Sequence, residues 1–346
     1  MIATRPDWVI RSAPDEGSMV RCARVPKERG EEARGFLASE GLLDIDHSIV
    51  RDGDFLCIPV LEGRMPYEEV FVDAPAVKRK KTDFRTMFPE PIRGDLPHSF
   101  DVVGDVAIVR IDDAVAHLAE DIGEAMIAVN GRIRAVYRDM GVKGDLRIRE
   151  LVEIAGGGGS ETVHRESGVR IKTDPGKVYF NPRLATERAR IASLVRDGET
   201  VIDLFAGVAP LPLVICKLAS PSAVYAVDLN PTAVAYAREN VAMNRFGDAI
   251  TVLEGDAAEV AKGLPQADRV VMNIPHNSFQ FLGLGLSKLK VGGTLHTYFV
   301  SGVDEAGETV AAALAAAGIP ARVSSLSEMK TYSPNSSVHS VDLVRE

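Results

Sequence analysis

Near the start of the chain, apolar and polar positions alternate in short runs. "MVRCARVP" (19–26) and "FLCIPV" (55–60) read as strands, and "GEEARGFLASEGL" (30–42) has helical spacing closed by a glycine. Residues 19–62 therefore predict a compact βα module. The stretch "APAVKRKKTDFRTMFPEPIRGDLP" (74–97) is rich in proline and charge, which predicts a linker. A mixed module follows over 98–175. It has a strand "VAIVRI", a helix "AHLAEDIGEAMIAV", then "RAVYRDM", "LRIRELVEIAG" and "RIKTDPGKVYF", with Gly156–Gly159 as a flexible loop tip.

From about residue 190 the pattern changes to short apolar strands alternating with helices. "TVIDLFAG" precedes "LPLVICKLA", "AVYAVDLN" precedes "PTAVAYARENVAMN", "ITVLEGDA" precedes a helix, and "RVVMNIP" precedes "SFQFLGLGLSKL". "GTLHTYFV", "TVAAALAAAG" and "VSSLSEMKTYSPNSSVHSVDLV" close the block. Such alternation predicts a parallel sheet covered on both faces, a doubly wound α/β domain whose ligands bind at the C-terminal strand ends. The predicted organisation is a small module over 1–72, a linker over 73–97, an α+β module over 98–178 and an α/β domain over 179–346.

Composition narrows the class. At 346 residues, 46% hydrophobic and 26% charged, the chain has the make-up of a soluble protein of two or three domains. No apolar run reaches the length of a membrane span, and "MIATRPDWVIRSAPDEG" has no signal-peptide core. Cys22, Cys57 and Cys216 lie far apart without CxxC or Cys/His spacing. They predict reduced thiols in a cytoplasmic protein, with neither a disulfide frame nor a metal site.

The net charge of −9 hides basic patches. "KRKKTDFRTMFPEPIR" (78–93) has six basic residues against two acidic, and "RIRAVYRDMGVKGDLRIRE" (132–150) six against three. A basic middle in an acidic chain fits a polyanion contacted over one face.

Three acidic strand ends point to a cofactor. "VIDLFAGVAP" (201–210) runs into Asp203 and then a turn at Gly207, where glycine lets the chain bend sharply against a ligand. "VYAVDLN" ends in Asp228, placed for two ribose hydroxyls, and "ITVLEGD" ends in Asp256, placed near an adenine amino group. A nicotinamide dinucleotide also needs an acid after a glycine loop, but its GxGxxG loop offers bare backbone N–H groups to a pyrophosphate. Here "FAGVAPLPL" has one glycine and two prolines, which remove donors. S-adenosylmethionine has no phosphate and suits this loop better.

"RVVMNIPHNSFQFL" (269–282) carries Asn273-Ile274-Pro275 at the end of the fourth strand, beside the cofactor. Methyltransferases of exocyclic base amines resemble one another in an Asn-Pro-Pro-aromatic motif there. The histidine at 276 replaces that aromatic, so an exocyclic amine is not the expected target.

At this point the chain resembles the archaeal and eukaryotic tRNA (guanine-N1)-methyltransferases that modify position 37. The resemblance rests on "LPHSFDVVGDVAIV" (96–109), "GDLRIRELVEIAG" (144–156), "TVHRESGVRIKTDPGKVYFNPRLATERARIA" (162–192), "DLFAGVAP" (203–210), "MNIP" (272–275) and "YSPNSSVHSVDL" (332–343). It covers nearly the whole chain, more loosely over 1–62, where the family has a module that contacts the outer corner of the tRNA. The family usually has Asn-Leu-Pro where this chain has Asn273-Ile274-Pro275.

The resemblance implies a Rossmann-like class I methyltransferase domain preceded by two smaller α+β domains. It also implies a cytoplasmic monomer that uses S-adenosylmethionine and binds the anticodon stem-loop of tRNA. It assigns the base that removes the N1 proton to Glu187 and the O6 donor to Arg147. Asn273 holds the guanine edge, and Tyr179 supports the flipped base or the cofactor pocket. Arg188 is placed by the cofactor carboxylate, with Leu229 and Ala257 lining its site beside Asp228 and Asp256. These roles agree with the chemistry, because a carboxylate can take a weakly acidic N–H proton and a guanidinium can stabilise charge on O6.

A stacked base must be flipped out to reach such a pocket, while phosphate contacts hold the RNA. Those contacts are assigned to Lys78, Arg79, Lys80, Lys81, Arg85, Arg132, Arg134 and Arg165. His276, His296 and His339 lack ligand spacing and read as structural or as RNA contacts. Three rivals remain: an aminocarboxypropyl transferase of the wybutosine pathway, a methyltransferase of the wyosine precursor, and an RNA-binding protein without chemistry. "MNIP" together with "TER" favours methyl transfer.

Overall fold

A computed structural model describes residues 19–75, 83–144, 148–333 and 335–346. The expected contacts at Lys78, Arg79, Lys80 and Lys81, and the expected donor Arg147, lie outside the described residues. The chain divides into two compact units, residues 1–82 and 83–346.

The first unit is built on β1 (Met19–Pro26), α1 (Gly30–Ser39), β2 (Val50–Asp52), β3 (Phe55–Pro59) and β4 (Glu68–Asp73). Its antiparallel sheet has the order β2-β3-β1-β4. Helix α1 buries Ala33 and Leu37 against Ala23, Val25 and Ile58, and the chain leaves it through Gly41 at φ +69. The expected βα module is present, and β4 extends it past residue 62.

The second unit begins inside the expected linker. Phe84 and Leu96 are buried in one apolar cluster with Ile122 and Met126, so this end of the linker is folded. Scattered apolar anchors between prolines carry no period, and only burial reveals them. A sheet of order β5-β6-β7-β8 follows, from β5 (Phe100–Val103), β6 (Val106–Val109), β7 (Ala135–Lys143) and β8 (Ile148–Gly156). Helix α2 (Ala119–Val129) covers it with Ile122, Ala125 and Met126.

The hairpin of β9 (Thr162–Glu166) and β10 (Val169–Thr173) comes next, then α3 (Ala185–Leu194). The remaining elements are β11 (Thr200–Asp203), α4 (Pro210–Leu218), β12 (Ala223–Asp228), α5 (Pro231–Asn244), β13 (Ile250–Glu254), α6 (Ala257–Lys262) and β14 (Ala267–Met272). They continue with α7 (Leu282–Ser287), β15 (Leu289–Ser301), α8 (Ala306–Ala317), β16 (Ala321–Ser333) and β17 (Ser336–Arg345). The hairpin hydrogen-bonds to α5: Asn240 Oδ1 accepts from Lys172 N at 2.7 Å and Asn244 Oδ1 from Arg170 N at 3.0 Å. The sequence pattern groups it with the middle module, yet it also binds the C-terminal one.

The large sheet has the order β13-β12-β11-β14-β15-β17-β16. Strands β11 to β15 are parallel, while β17 runs antiparallel to both β15 and β16. One apolar layer joins Leu213 and Val214 of α4 and Ala237 and Val241 of α5 to Val103 and Val106 of the smaller sheet. The other joins Ala261, Leu282, Leu286 and Val310 to the opposite face. The shared first layer makes residues 83–346 one unit. Strand order reverses at β11, so a crevice opens between the ends of β11 and β14.

Candidate active site

The loop after β11 is held by Asp228. Gly207 sits at φ +56 and donates its N–H to Asp228 Oδ2 at 2.6 Å, while Asp228 Oδ1 accepts from Asn230 N at 2.9 Å. Ala209 also takes a left-handed conformation, at φ +64, before Pro210 starts α4. The glycine N–H that a pyrophosphate would use is thus spent on a side chain, in keeping with a phosphate-free cofactor.

Asp203 is buried, and among the described residues only Phe205 N donates to it, at 3.2 Å. Burial pushes its carboxyl up to about 7, the Phe205 N–H opposes this, and the Asp228 charge adds to it. Burial likewise raises the Asp228 carboxyl. The buried acid at Asp203 suits a cationic group of the ligand, while Asp228 beside it is only half-buried. Asp256 caps α6, its Oδ1 accepting from Ala258 N at 2.8 Å and Glu259 N at 3.3 Å. Ala257 is buried beneath it, and Leu229 at the end of β12 is 58% exposed, an apolar surface of the kind a flat ring covers. The set fits S-adenosylmethionine, which supplies an activated methyl group.

A pH dependence follows from the raised Asp203. A cationic ligand needs the carboxylate, so binding releases a proton at neutral pH. Affinity should rise roughly tenfold from pH 6 to pH 8 and level off above that. Calorimetry with S-adenosylmethionine at three pH values checks this, and Asp203→Asn should bind more weakly with a flat profile. Equal wild-type affinity at pH 6 and pH 8 would show that Asp203 does not meet the cation.

The substrate side is a cavity of about 40 Å³ whose lining includes Glu187, Arg188, Asp203, Phe205, Asn273 and Tyr298. Asn273 follows the last residue of β14, and its side-chain amide has no partner among the described residues. Glu187 projects from the first turn of α3. Its Oε1 accepts from Tyr298 Oη and Arg190 Nη2, both at 2.8 Å, and its Oε2 from Arg190 Nε at 2.8 Å. Tyr179 is 40% exposed between buried Val178 and Phe180, so it faces outward and not into the core.

Arg188 borders the same cavity but is occupied. It is buried, donates to Glu166 Oε1 at 2.6 Å and to Asn181 O at 3.2 Å, and lies over the Phe180 ring. A cofactor carboxylate there would have to share a guanidinium that already neutralises Glu166.

Two of the expected RNA contacts also serve the fold. Arg134 donates to Asp105, to Gly157 O and Gly159 O, and to Glu161 O, which accounts for all its N–H groups and ties down the glycine loop. It has no donor left for a phosphate. Arg85 is bound to Asp83 and His98. Arg132 and Arg165 are exposed, and Arg165 opens onto a cavity of about 720 Å³ shared with Asp105, Glu161 and His164. Sequence reasoning missed Arg190 and Tyr298. Arg190, three residues after Glu187 on one helix, was accessible from spacing, whereas Tyr298 lay in an apolar strand with no local signal.

Residues 162–317 match the TRM5/TYW2 methyltransferase domain, 81–159 the TYW2 N-terminal domain and 22–68 the tRNA methyltransferase 5 N-terminal domain. The chain is 38% identical over 283 residues to tRNA (guanine(37)-N(1))-methyltransferase Trm5b of Pyrococcus abyssi, covering 81% of this chain and 84% of that one. It is 34% identical over 302 residues to Trm5b of Methanocaldococcus jannaschii, covering 82% and 87%. The solved complex of aTrm5 and tRNALeu aligns with a TM-score of 0.68 at 29% identity, covering 94% of this chain and 99% of that one. These matches span both units and carry the site's strand ends with them: the chain belongs to the tRNA (guanine(37)-N1)-methyltransferase family of TRM5 type.

Proposed function

We propose that this chain transfers the methyl group of S-adenosylmethionine to N1 of guanosine 37 in tRNA. Glu187 takes the N1 proton, Arg147 stabilises the developing charge on O6, and Asn273 holds the guanine edge. The observation that carries this reading is the meeting of Glu187, Asp203 and Asn273 at one small cavity, where β11 and β14 diverge. Proton removal and methyl receipt occur at the same nitrogen, so the base and the donor site must adjoin. Tyr179, exposed beside this cavity's loop, supports the flipped base. Asp228, Leu229, Asp256 and Ala257 hold the adenosine end, and Gly207 gives it close backbone approach.

The reading includes an outer-corner module over 1–72, an RNA-binding module over 98–178 and a catalytic domain over 179–346. The enzyme is taken as a cytoplasmic monomer. Its three cysteines are free, in keeping with a reducing compartment. Lys78, Arg79, Lys80, Lys81, Arg132 and Arg165 remain the proposed phosphate contacts. Arg85 and Arg134 support that surface from within the fold.

Labelled methyl transfer to unmodified transcripts carrying G37 or A37 tests the reading. The expected product is 1-methylguanosine with G37 and none with A37. A heavier adduct on a wyosine-type base would instead place the chain with the aminocarboxypropyl transferases.

A further inference from the structure

The base is the first member of a chain of polar groups, half-buried at Glu187 and Arg190 and buried at Tyr298, His296, Asp342 and Arg269, that the methyl-transfer reading does not use. Tyr298 and His296 are two residues apart on β15 and so share one face. His296 lies opposite Asp342 of β17. Arg190 reaches from α3 to both carboxylates. Besides its two bonds to Glu187, it donates Nη1 to Asp342 Oδ2 at 2.8 Å and Nη2 to Asp342 Oδ1 at 3.2 Å. Asp342 also bonds His296 Nδ1 at 2.6 Å, and His296 Nε2 lies 2.6 Å from Arg269 Nη1. Arg269 ends the chain on Glu199 Oε2 at 3.1 Å and Leu194 O at 2.7 Å.

We propose that Tyr298 and Arg190 are positioning residues for Glu187, with Asp342 as the anchor that keeps Arg190 in place while Glu187 changes charge. The proposal rests on the reading of Glu187 as the base and adds two residues to it.

The geometry explains why three groups are needed. Oε1 holds two donors and Oε2 holds one, so the spare lone pair for an incoming proton lies on Oε2. In the reaction the N1–H bond breaks and an O–H bond forms on Oε2. The N1 electron pair forms the bond to the methyl carbon, and the carbon–sulfur bond breaks with its pair left on sulfur. A protonated Glu187 no longer neutralises Arg190. Without Asp342 the guanidinium would become an unpaired, partly buried cation at that moment.

Asp342 suits this duty. Burial would raise its carboxyl, but the bonds from His296 and Arg190 outweigh it and hold the group down at about 2. Burial lowers His296, so it stays neutral, accepting from Arg269 and donating Nδ1–H to Asp342. Tyr298 stays a donor, because burial and the Glu187 charge push its phenol well up.

Single-turnover methyl transfer to a G37 transcript tests the proposal, with tRNA and S-adenosylmethionine Kd measured separately. Tyr298→Phe keeps the ring volume, and Arg190→Lys keeps one charged donor. Each should slow the chemical step by about tenfold or more, with both Kd values within about twofold. In a Glu187→Gln background, Tyr298→Phe should cause little further loss, because its effect passes through the missing carboxylate.

Full additivity of the two losses would overturn positioning, since a packing role does not need Glu187. Wild-type rates for both single variants would overturn it while leaving Glu187 as the base. A wild-type rate for Glu187→Gln alone would remove the base, and this proposal with it. If Tyr298→Phe fails to fold, Arg190→Lys and its cycle with Glu187→Gln decide the question.

Discussion

Glu187→Gln is expected to slow single-turnover methyl transfer by about 10²–10³-fold, within the range for losing a positioned general base. Glutamine keeps the shape of the side chain but cannot take the N1 proton. Because Glu187 lines the small cavity and is not among the exposed arginines, tRNA affinity should stay within about threefold. Rapid-quench transfer of labelled methyl, with affinity from filter binding, gives both numbers. A near-normal rate would remove Glu187 from proton transfer and leave water or a nucleic-acid group as the acceptor. A normal rate constant with much weaker tRNA binding would make Glu187 a recognition residue.

The largest stability effect is expected at Glu166. It forms a buried ion pair with Arg188 at 2.5 and 2.6 Å, with side chains 5% and 7% exposed. The pair links β9 to α3, the helix that carries Glu187. Glu166→Ala strands the Arg188 charge, and breaking such a pair costs about 3–5 kcal/mol. The melting temperature should fall by roughly 6–15 °C.

Removing both charges with Glu166→Leu and Arg188→Met should recover much of that loss, since apolar groups of similar volume replace a buried pair at little cost. Calorimetry distinguishes the outcomes. A fall below about 2 °C for Glu166→Ala would mean that water reaches the Arg188 guanidinium and replaces the lost partner.

The elements were largely legible because their cues are local. Helix α5 covers the expected 231–244, where Asn230 caps and Pro231 takes the first turn. Asp203 and Asp228 end their strands as expected, whereas Asp256 stands two residues past β13 and caps α6. The folding of residues 83–97 was not legible, because Phe84 and Leu96 reach the core singly and without a period. Nor was the double attachment of the β9–β10 hairpin, which depends on Asn240 and Asn244 reaching backbone 68 and 74 residues away.

The chemistry of the site divides in the same way. Asn273 could be read from its strand end and Arg190 from its place three residues past Glu187. The Tyr298 hydroxyl meets Glu187 across 111 residues, and Asp342 meets Arg190 across 152. Neither partner has a pattern of its own. The basic patches show the converse, since counting charges cannot tell that Arg134 has spent every donor on Asp105 and three carbonyls.

By itself the sequence determined the alternating strands and helices of the C-terminal block, the acids that end β11 and β12, and the phosphate-free loop, all of which follow from period, capping and turn chemistry within a few residues. The tertiary structure decided which charged groups remain available and which are consumed by the fold. Those partnerships form between strands and helices that meet only after the sheet order is set, and burial then makes an unpaired charge too costly to leave.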